Sequence, residues 1–305
     1  MPINSQPLIS VVIPCYNHEN FIIDCLESVK RDPYERIEIV FLDDGSSDDS
    51  YELGESWLKA NKNSFEKVSY SKQSNQGICR TFNTIVRKSS GEFIFILASD
   101  DLAAANGISN TLRYYNRHCS EPTLLFTDLE LIDYDGRLFA KSGTAHTHRD
   151  AELLENKKEY LKLDLLVNWG IPYMQQFYPR ELFDLHGGYS EKLKCEDYYF
   201  ALKNIVGGSV AYGPVVSRKL RLKKNANDCT PGLTHNDYIR RQAHELLSSK
   251  MPFRYQLLIN LLNNQEQNRT NCTARAVKYM IHLILRFIMK LFRTYYKAYA
   301  KLDAE

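Results

Sequence analysis

Leu8-Ile-Ser-Val-Val-Ile-Pro14 is a short run rich in β-branched residues, and it reads as a buried strand. The segments beyond it establish the fold class. From Asn20 to Lys30 the apolar residues Phe21, Ile22, Cys25, Leu26 and Val29 recur at helical spacing. Ile37-Glu-Ile-Val-Phe-Leu42 is a second strand, and Ser47 or Asp48 is placed to cap a second helix carrying Tyr51, Leu53, Trp57 and Leu58. Val68 to Ser71 reads as a third strand. Gly77 to Lys88 is helical and ends at Ser90-Gly91. Phe93-Ile-Phe-Ile-Leu-Ala98 is a fourth strand almost without polar interruption, as expected of a strand covered on both faces. Strands and helices alternating at this spacing predict an α/β fold with a doubly wound, mostly parallel sheet.

The polar residues of this half fall just past the strand ends. The first strand runs into Cys15-Tyr16-Asn17, the second into Asp43-Asp-Gly-Ser46 and the fourth into Ser99-Asp-Asp101. In open α/β sheets the ligand crevice lies outside those ends, near the point where strand order reverses. Asp43, Asp44, Asp100 and Asp101 are therefore expected around one crevice, where they repel one another unless a cation intervenes. Oxygen ligands suit Mg²⁺ or Mn²⁺ shared with substrate phosphates. One Asp-Asp-Gly-Ser by itself is equally well a turn. Two acidic doublets at the ends of two strands of one sheet point to function.

The 305 residues carry a net charge of +2, with 44% apolar and 25% charged residues, which excludes a disordered polyelectrolyte and a polytopic membrane protein. The charge is uneven. Residues 236–305 hold 12 Lys/Arg against 5 Asp/Glu, so the body is net acidic and the tail strongly basic. The Met1 end lacks a basic stretch followed by a long apolar one, which predicts no secretory signal. The seven cysteines stand far apart with no CxxC spacing and read as reduced cytosolic thiols. No G-x-G-x-x-G follows the first strand, no G-x-x-x-x-G-K-[ST] occurs, and no G-x-S-x-G elbow occurs. A dinucleotide-binding dehydrogenase, a P-loop NTPase and an α/β-hydrolase are thereby disfavoured. No nucleic-acid partner is indicated.

Val11-Val-Ile-Pro-Cys-Tyr-Asn17 followed by Phe41-Leu-Asp-Asp-Gly-Ser-Ser-Asp48 resembles the opening of the family 2 glycosyltransferases, which have the GT-A fold. Asn75-Gln-Gly77 with Asn83, Ser90-Gly-Glu-Phe-Ile94, Leu97-Ala-Ser-Asp-Asp101, Gly187-Gly-Tyr-Ser-Glu191 and Glu196-Asp197 continue that pattern in order, over roughly residues 7–227. The resemblance implies a UDP-sugar donor held by Pro14, Tyr16, Asn17, Asp44, Arg80, Ser99 and Asp100. It implies a divalent cation, Mn²⁺ or Mg²⁺, on Asp101, although Ser99 stands where the family's D-x-D begins. It implies Asp197 as catalytic base with Glu196 beside it in the acceptor site, and single-displacement chemistry that inverts the anomeric centre. Where related chains carry Arg and then His near the end of this domain, this one has Leu220-Arg-Leu-Lys223. Arg221 and Lys223 are expected to help hold the diphosphate as cations.

On this basis residues 1–235 are expected to form one catalytic domain, with a nucleotide-sugar half (1–120) and an acceptor half (121–235), and residues 236–305 a helical extension. Within the acceptor half, Asp133-Tyr-Asp-Gly136 signals a hairpin, while His146 and His148 read as a solvated pair and not as metal ligands. Trp169, Tyr173, Gln175 and Gln176 are candidates for stacking on or hydrogen-bonding an acceptor sugar, with core packing as the alternative. In residues 274–302 the residues Lys278, His282, Arg286, Lys290, Arg293, Lys297 and Lys301 recur every three or four positions opposite an apolar face. This basic amphipathic helix suits the surface of an anionic membrane, or equally a packed helix with a solvated basic face. The membrane reading predicts a cytoplasmic enzyme, peripheral on the inner face of the plasma membrane, that extends a polyprenyl-linked oligosaccharide in surface-polysaccharide synthesis. A nucleotidyltransferase and a non-catalytic sugar-nucleotide scaffold stay open as alternatives, as does pairing with a second copy of the chain.

Overall fold

The computed structural model describes residues 6–147, 154–155, 158–167, 176–192, 196–207 and 209–222. The basic amphipathic segment 274–302, Trp169, Tyr173, Gln175, His148 and Lys223 lie outside the described residues. Strand β1 (Ile9–Cys15) is followed by α1 (Ile22–Lys30), β2 (Ile37–Asp43), α2 (Ser50–Asn61), β3 (Lys67–Lys72), α3 (Ile78–Lys88) and β4 (Phe93–Ile96). The expected strand–helix alternation is present. A two-residue strand β5 (Leu102–Ala103) and α4 (Gly107–His118) lead into β6 (Thr123–Ile132) and β7 (Leu138–Ala140). Then come α5 (Gly143–Thr147), α6 (Lys158–Val167), β8 (Gln176–Pro179), α7 (Arg180–His186), α8 (Glu196–Gly207) and β9 (Ser209–Arg221).

One sheet runs through both halves in the order β3-β2-β1-β4-β8-β6-β9-β5, with β7 paired to β6. Strands β1 to β4 are mutually parallel. The antiparallel strand β8 is inserted between β4 and β6, and β6 pairs parallel with β9. This is the GT-A arrangement expected from the sequence, with a more mixed second half. Strand periodicity explains its two-sided core. Ile9, Val11 and Ile13 point to the layer containing α1 and α4, whereas Val12 packs in the layer of α3, α6 and α8. The hairpin signal at Asp133–Gly136 is realised as the turn between β6 and β7, closed by the Gly136 N–H donating to the Asp133 carbonyl at 3.0 Å. No helix among the described residues is long and apolar enough to cross a membrane.

A buried carboxylate fastens the sheet at the opposite end from the acidic loops. Glu38 of β2, with no exposed surface, accepts from Ser10 Oγ at 2.5 Å, Ser90 N at 2.6 Å, Ser90 Oγ at 2.9 Å and Gly91 N at 3.2 Å. Lys67 Nζ completes the set at 3.0 Å. Burial works to raise this carboxyl, but the hydrogen bonds from Ser10, Ser90 and Lys67 outweigh it and hold Glu38 below its ordinary 4.5.

Candidate active site

Strand β1 lies between β2 and β4, and all three run parallel, so their C-terminal ends emerge side by side. The loop after β1 is bonded to both neighbours. Pro14 is buried in the strand, and Tyr16, two residues further on, is 49% exposed. Asn17 takes a left-handed conformation, φ 55°, which Asn tolerates better than most residues. That bend lets the Asn17 N–H donate to Ser46 Oγ at 2.9 Å while its Oδ1 accepts from Ser47 N at 2.9 Å. On the other side, His18 Nδ1 meets Ser99 Oγ at 2.7 Å, and its Nε2 lies 3.7 Å from Asp100 Oδ2. The loops after β1, β2 and β4 therefore form one continuous rim.

The two carboxylates after β2 have different duties. Asp43 is fully buried, and its Oδ1 accepts from Gly45 N at 3.1 Å and Ser46 N at 2.9 Å, with Ser46 Oγ on its other oxygen. It closes its own turn, so Asp43 is not a carboxylate free to face the crevice expected from the sequence. Asp44 instead turns to the start of α3. Its Oδ1 accepts from Gln73 Nε2 at 2.7 Å and Gln76 N at 2.9 Å, and its Oδ2 from Gly77 N at 3.0 Å. Two N–H groups that precede α3 are satisfied in this way.

After β4, Ser99 and Asp101 are buried and Asp100 is partly exposed. Burial, and then the Asp100 charge, push the Asp101 carboxyl above the usual carboxylate range, against the Arg221 N–H bond and the charges of Arg218 and Arg221. Arg218 itself is 3% exposed, with its guanidinium 4.9 Å from the centre of the Phe95 ring, and burial pulls it down to about 10. The site thus holds an acidic pair that its surroundings neutralise only in part. Hard carboxylate oxygens are donors of the kind that Mg²⁺ or Mn²⁺ takes. Among the described residues no three His, Cys, Asp or Glu side chains are grouped so as to hold a metal ion.

The remaining expected residues divide between contacts and core. Arg80 Nε donates to Glu191 Oε2 at 3.1 Å, and Asn83 clasps the Tyr189 backbone, Nδ2 to its carbonyl at 2.9 Å and its N–H to Oδ1 at 2.8 Å. These contacts tie α3 to the segment that leads into α8. Glu196 and Asp197 are the first two residues of α8, and their side chains lie outside the described part. Gln176, expected to face an acceptor, is fully buried in β8 between β4 and β6 and is an interior residue. Arg221, expected to reach the diphosphate, directs Nε to the Asp100 carbonyl and Nη1 to the Tyr134 carbonyl, at 2.9 and 2.8 Å. His18 and Arg218 join the site without having been expected there. His18 adjoins the Tyr16-Asn17 pair, and that adjacency is the one signal the sequence offers for it. Arg218 lies in a strand with no local cue.

The model of glycosyl transferase family 2 matches residues 10–169. An uncharacterized glycosyltransferase of Rickettsia typhi is 26% identical over 218 residues, 71% of this chain and 64% of that protein. The chain thus spans less than two thirds of that relative. Among solved structures, residues 1–349 of Staphylococcus aureus TarS in complex with UDP-GlcNAc share the fold at a TM-score of 0.58 and 16% identity, over 84% of this chain and 70% of that one. The mannosyltransferase PcManGT from Pyrobaculum calidifontis, in complex with GDP-Man and Mn²⁺, gives 0.60 and 16%, over 99% of this chain and 86% of that one.

Proposed function

This chain belongs to glycosyl transferase family 2, and from that premise we propose that it is an inverting, metal-dependent enzyme. It transfers a hexose or N-acetylhexosamine from a UDP-sugar to a saccharide acceptor. One observation carries the reading. The loops after β1, β2 and β4 are bonded into a single rim that brings the exposed Tyr16 ring, Asp44 and the Asp100–Asp101 pair to one end of the sheet. Tyr16, Asn17 and Asp44 line the nucleoside end, and Asp100 the ribose or donor sugar. Asp101 holds the cation. When bound, the cation neutralises the charge that develops on the departing diphosphate. Asp197, at the first turn of α8, is the base that removes the acceptor hydroxyl proton while that oxygen attacks the anomeric carbon. A base on a segment separate from the metal loop can be ionised without its lone pairs being tied up by the cation.

The acceptor is a lipid-linked oligosaccharide of surface-polysaccharide synthesis, reached from the cytoplasmic face of the membrane through the basic amphipathic sequence of residues 274–302. Removing residues 274–305 then abolishes binding to anionic vesicles, and unchanged binding refutes the membrane role. The transfer reaction is tested with labelled UDP-sugars and Mn²⁺. UDP is released by the wild type and not by Asp197→Asn. Release that persists in Asp197→Asn overturns the base assignment, and absence of any sugar-nucleotide turnover in the wild type favours a binding scaffold.

A further inference from the structure

Arg221 closes β9, and nearly all of it is engaged. Its backbone N–H donates to Asp101 Oδ1 at 2.9 Å. Nε donates to the carbonyl of Asp100 at 2.9 Å and Nη1 to the carbonyl of Tyr134 at 2.8 Å. The guanidinium carbon lies 4.8 Å from the centre of the Phe21 ring, which stands edge-on to Tyr134 at 5.2 Å. The residue is 9% exposed. One side chain therefore joins three segments distant in sequence: the acidic loop after β4, the turn between β6 and β7, and the approach to α1. The opposed carbonyls use the rigid fork of a guanidinium, and an ammonium on a flexible stem cannot serve both from one position.

We propose that Arg221 is a positioning residue that holds the Asp100–Asp101 loop in the geometry a divalent cation requires. The inference rests on the nucleotide-sugar reading above. Two neighbouring carboxylates repel each other, and a loop free to move relaxes that repulsion by separating them. With the Asp100 carbonyl fastened to β9 through Nε, and the Asp101 carboxylate fastened through the backbone N–H, the loop cannot swing freely to separate the two acids. The site is thereby preorganised for the cation. The same bonds turn the guanidinium toward main-chain carbonyls and away from a role as a phosphate ligand.

The test uses UDP and Mn²⁺ as probes on the full chain. Free Mn²⁺ is monitored by its paramagnetic resonance signal, and UDP affinity is measured by calorimetry, once with Mn²⁺ and once with a chelator. The proteins are the wild type, Arg221→Lys and Arg221→Ala. Expected is that both variants bind Mn²⁺ more weakly and lose at least about tenfold of the Mn²⁺-dependent gain in UDP affinity. Their affinity in chelator stays near the wild-type value. An equal loss with and without Mn²⁺ overturns the proposal, because it marks direct contact with the diphosphate. Variants that keep the full Mn²⁺ gain overturn it as well. If Arg221→Ala does not fold, Arg221→Lys carries the same comparison, since it retains the stem and the charge. A wild type that binds UDP with no gain from Mn²⁺, or binds neither probe, overturns the metal-dependent reading itself and this inference with it. Failure confined to the variants overturns the Arg221 assignment alone.

Discussion

His18 Nδ1 lies 2.7 Å from Ser99 Oγ, a contact between residues 81 positions apart that locks the loop after β1 to the loop after β4. The His18 side chain is 29% exposed, so its removal admits water to the Ser99 hydroxyl. His18→Ala is expected to lower stability by about 0.5–1.5 kcal/mol, the net contribution of one hydrogen bond. Ser99→Ala in the same background should then cost little more, because the two residues act as one pair. Urea unfolding of the two single variants and the double variant measures this. Additive losses would contradict the coupling.

Asp44 is expected to be more costly to remove. Its carboxylate accepts three hydrogen bonds, two of them from the backbone leading into α3. Asp44→Ala leaves those donors without their acceptor and should destabilise the chain by about 3 kcal/mol. Asp44→Asn retains an oxygen that can accept from part of the set and should lose less. Denaturant midpoints at constant slope separate the two variants.

Glu38 makes stability depend on acid. Its carboxyl is held below 4.5 in the folded chain. A group depressed by folding contributes stability that is fully present above its unfolded value and is lost as the pH falls through its folded value. The stability advantage of the wild type over Glu38→Gln should therefore be constant between about pH 6 and 8, by roughly the amount that a buried hydrogen-bonded charge contributes. It should shrink progressively below about pH 4.5. Paired urea titrations along that pH series test it, and a difference that stays flat down to about pH 3 would contradict the assignment.

Gly107 opens α4 against β9, where an added Cβ would lie 2.2 Å from the Ser217 carbonyl oxygen. That oxygen belongs to a strand backbone, which cannot swing aside as a side chain can. Gly107→Ala is expected to destabilise by about 1–3 kcal/mol through overpacking, despite the better helix propensity of alanine. Thermal unfolding checks the sign: a rise in melting temperature would show that α4 can shift away from β9.

Apolar residues repeating every second or every three to four positions are local signals, and they suffice to identify β1 to β4, α1 to α3 and the turn at Asp133–Gly136. The ends of parallel strands are also local, so the acidic doublets can be assigned to one edge of the sheet. Other features require the fold. Asp43 and Asp44 are adjacent in the chain, yet one closes its own turn and the other reaches α3. Gln176 reads equally well as an acceptor ligand or a core residue, and the insertion of β8 between β4 and β6 makes it interior. Arg221 reads from the sequence as a cation for the diphosphate, and the Asp100 and Tyr134 carbonyls against its guanidinium make it a tie between loops. Spacing along the chain was thus enough to set the alternation of elements and the places where acidic residues accumulate. Which carboxylates are tied into turns, and what each buried polar group bonds, emerged only from the folded arrangement. Those depend on strand order and register, which bring together atoms that no local pattern relates.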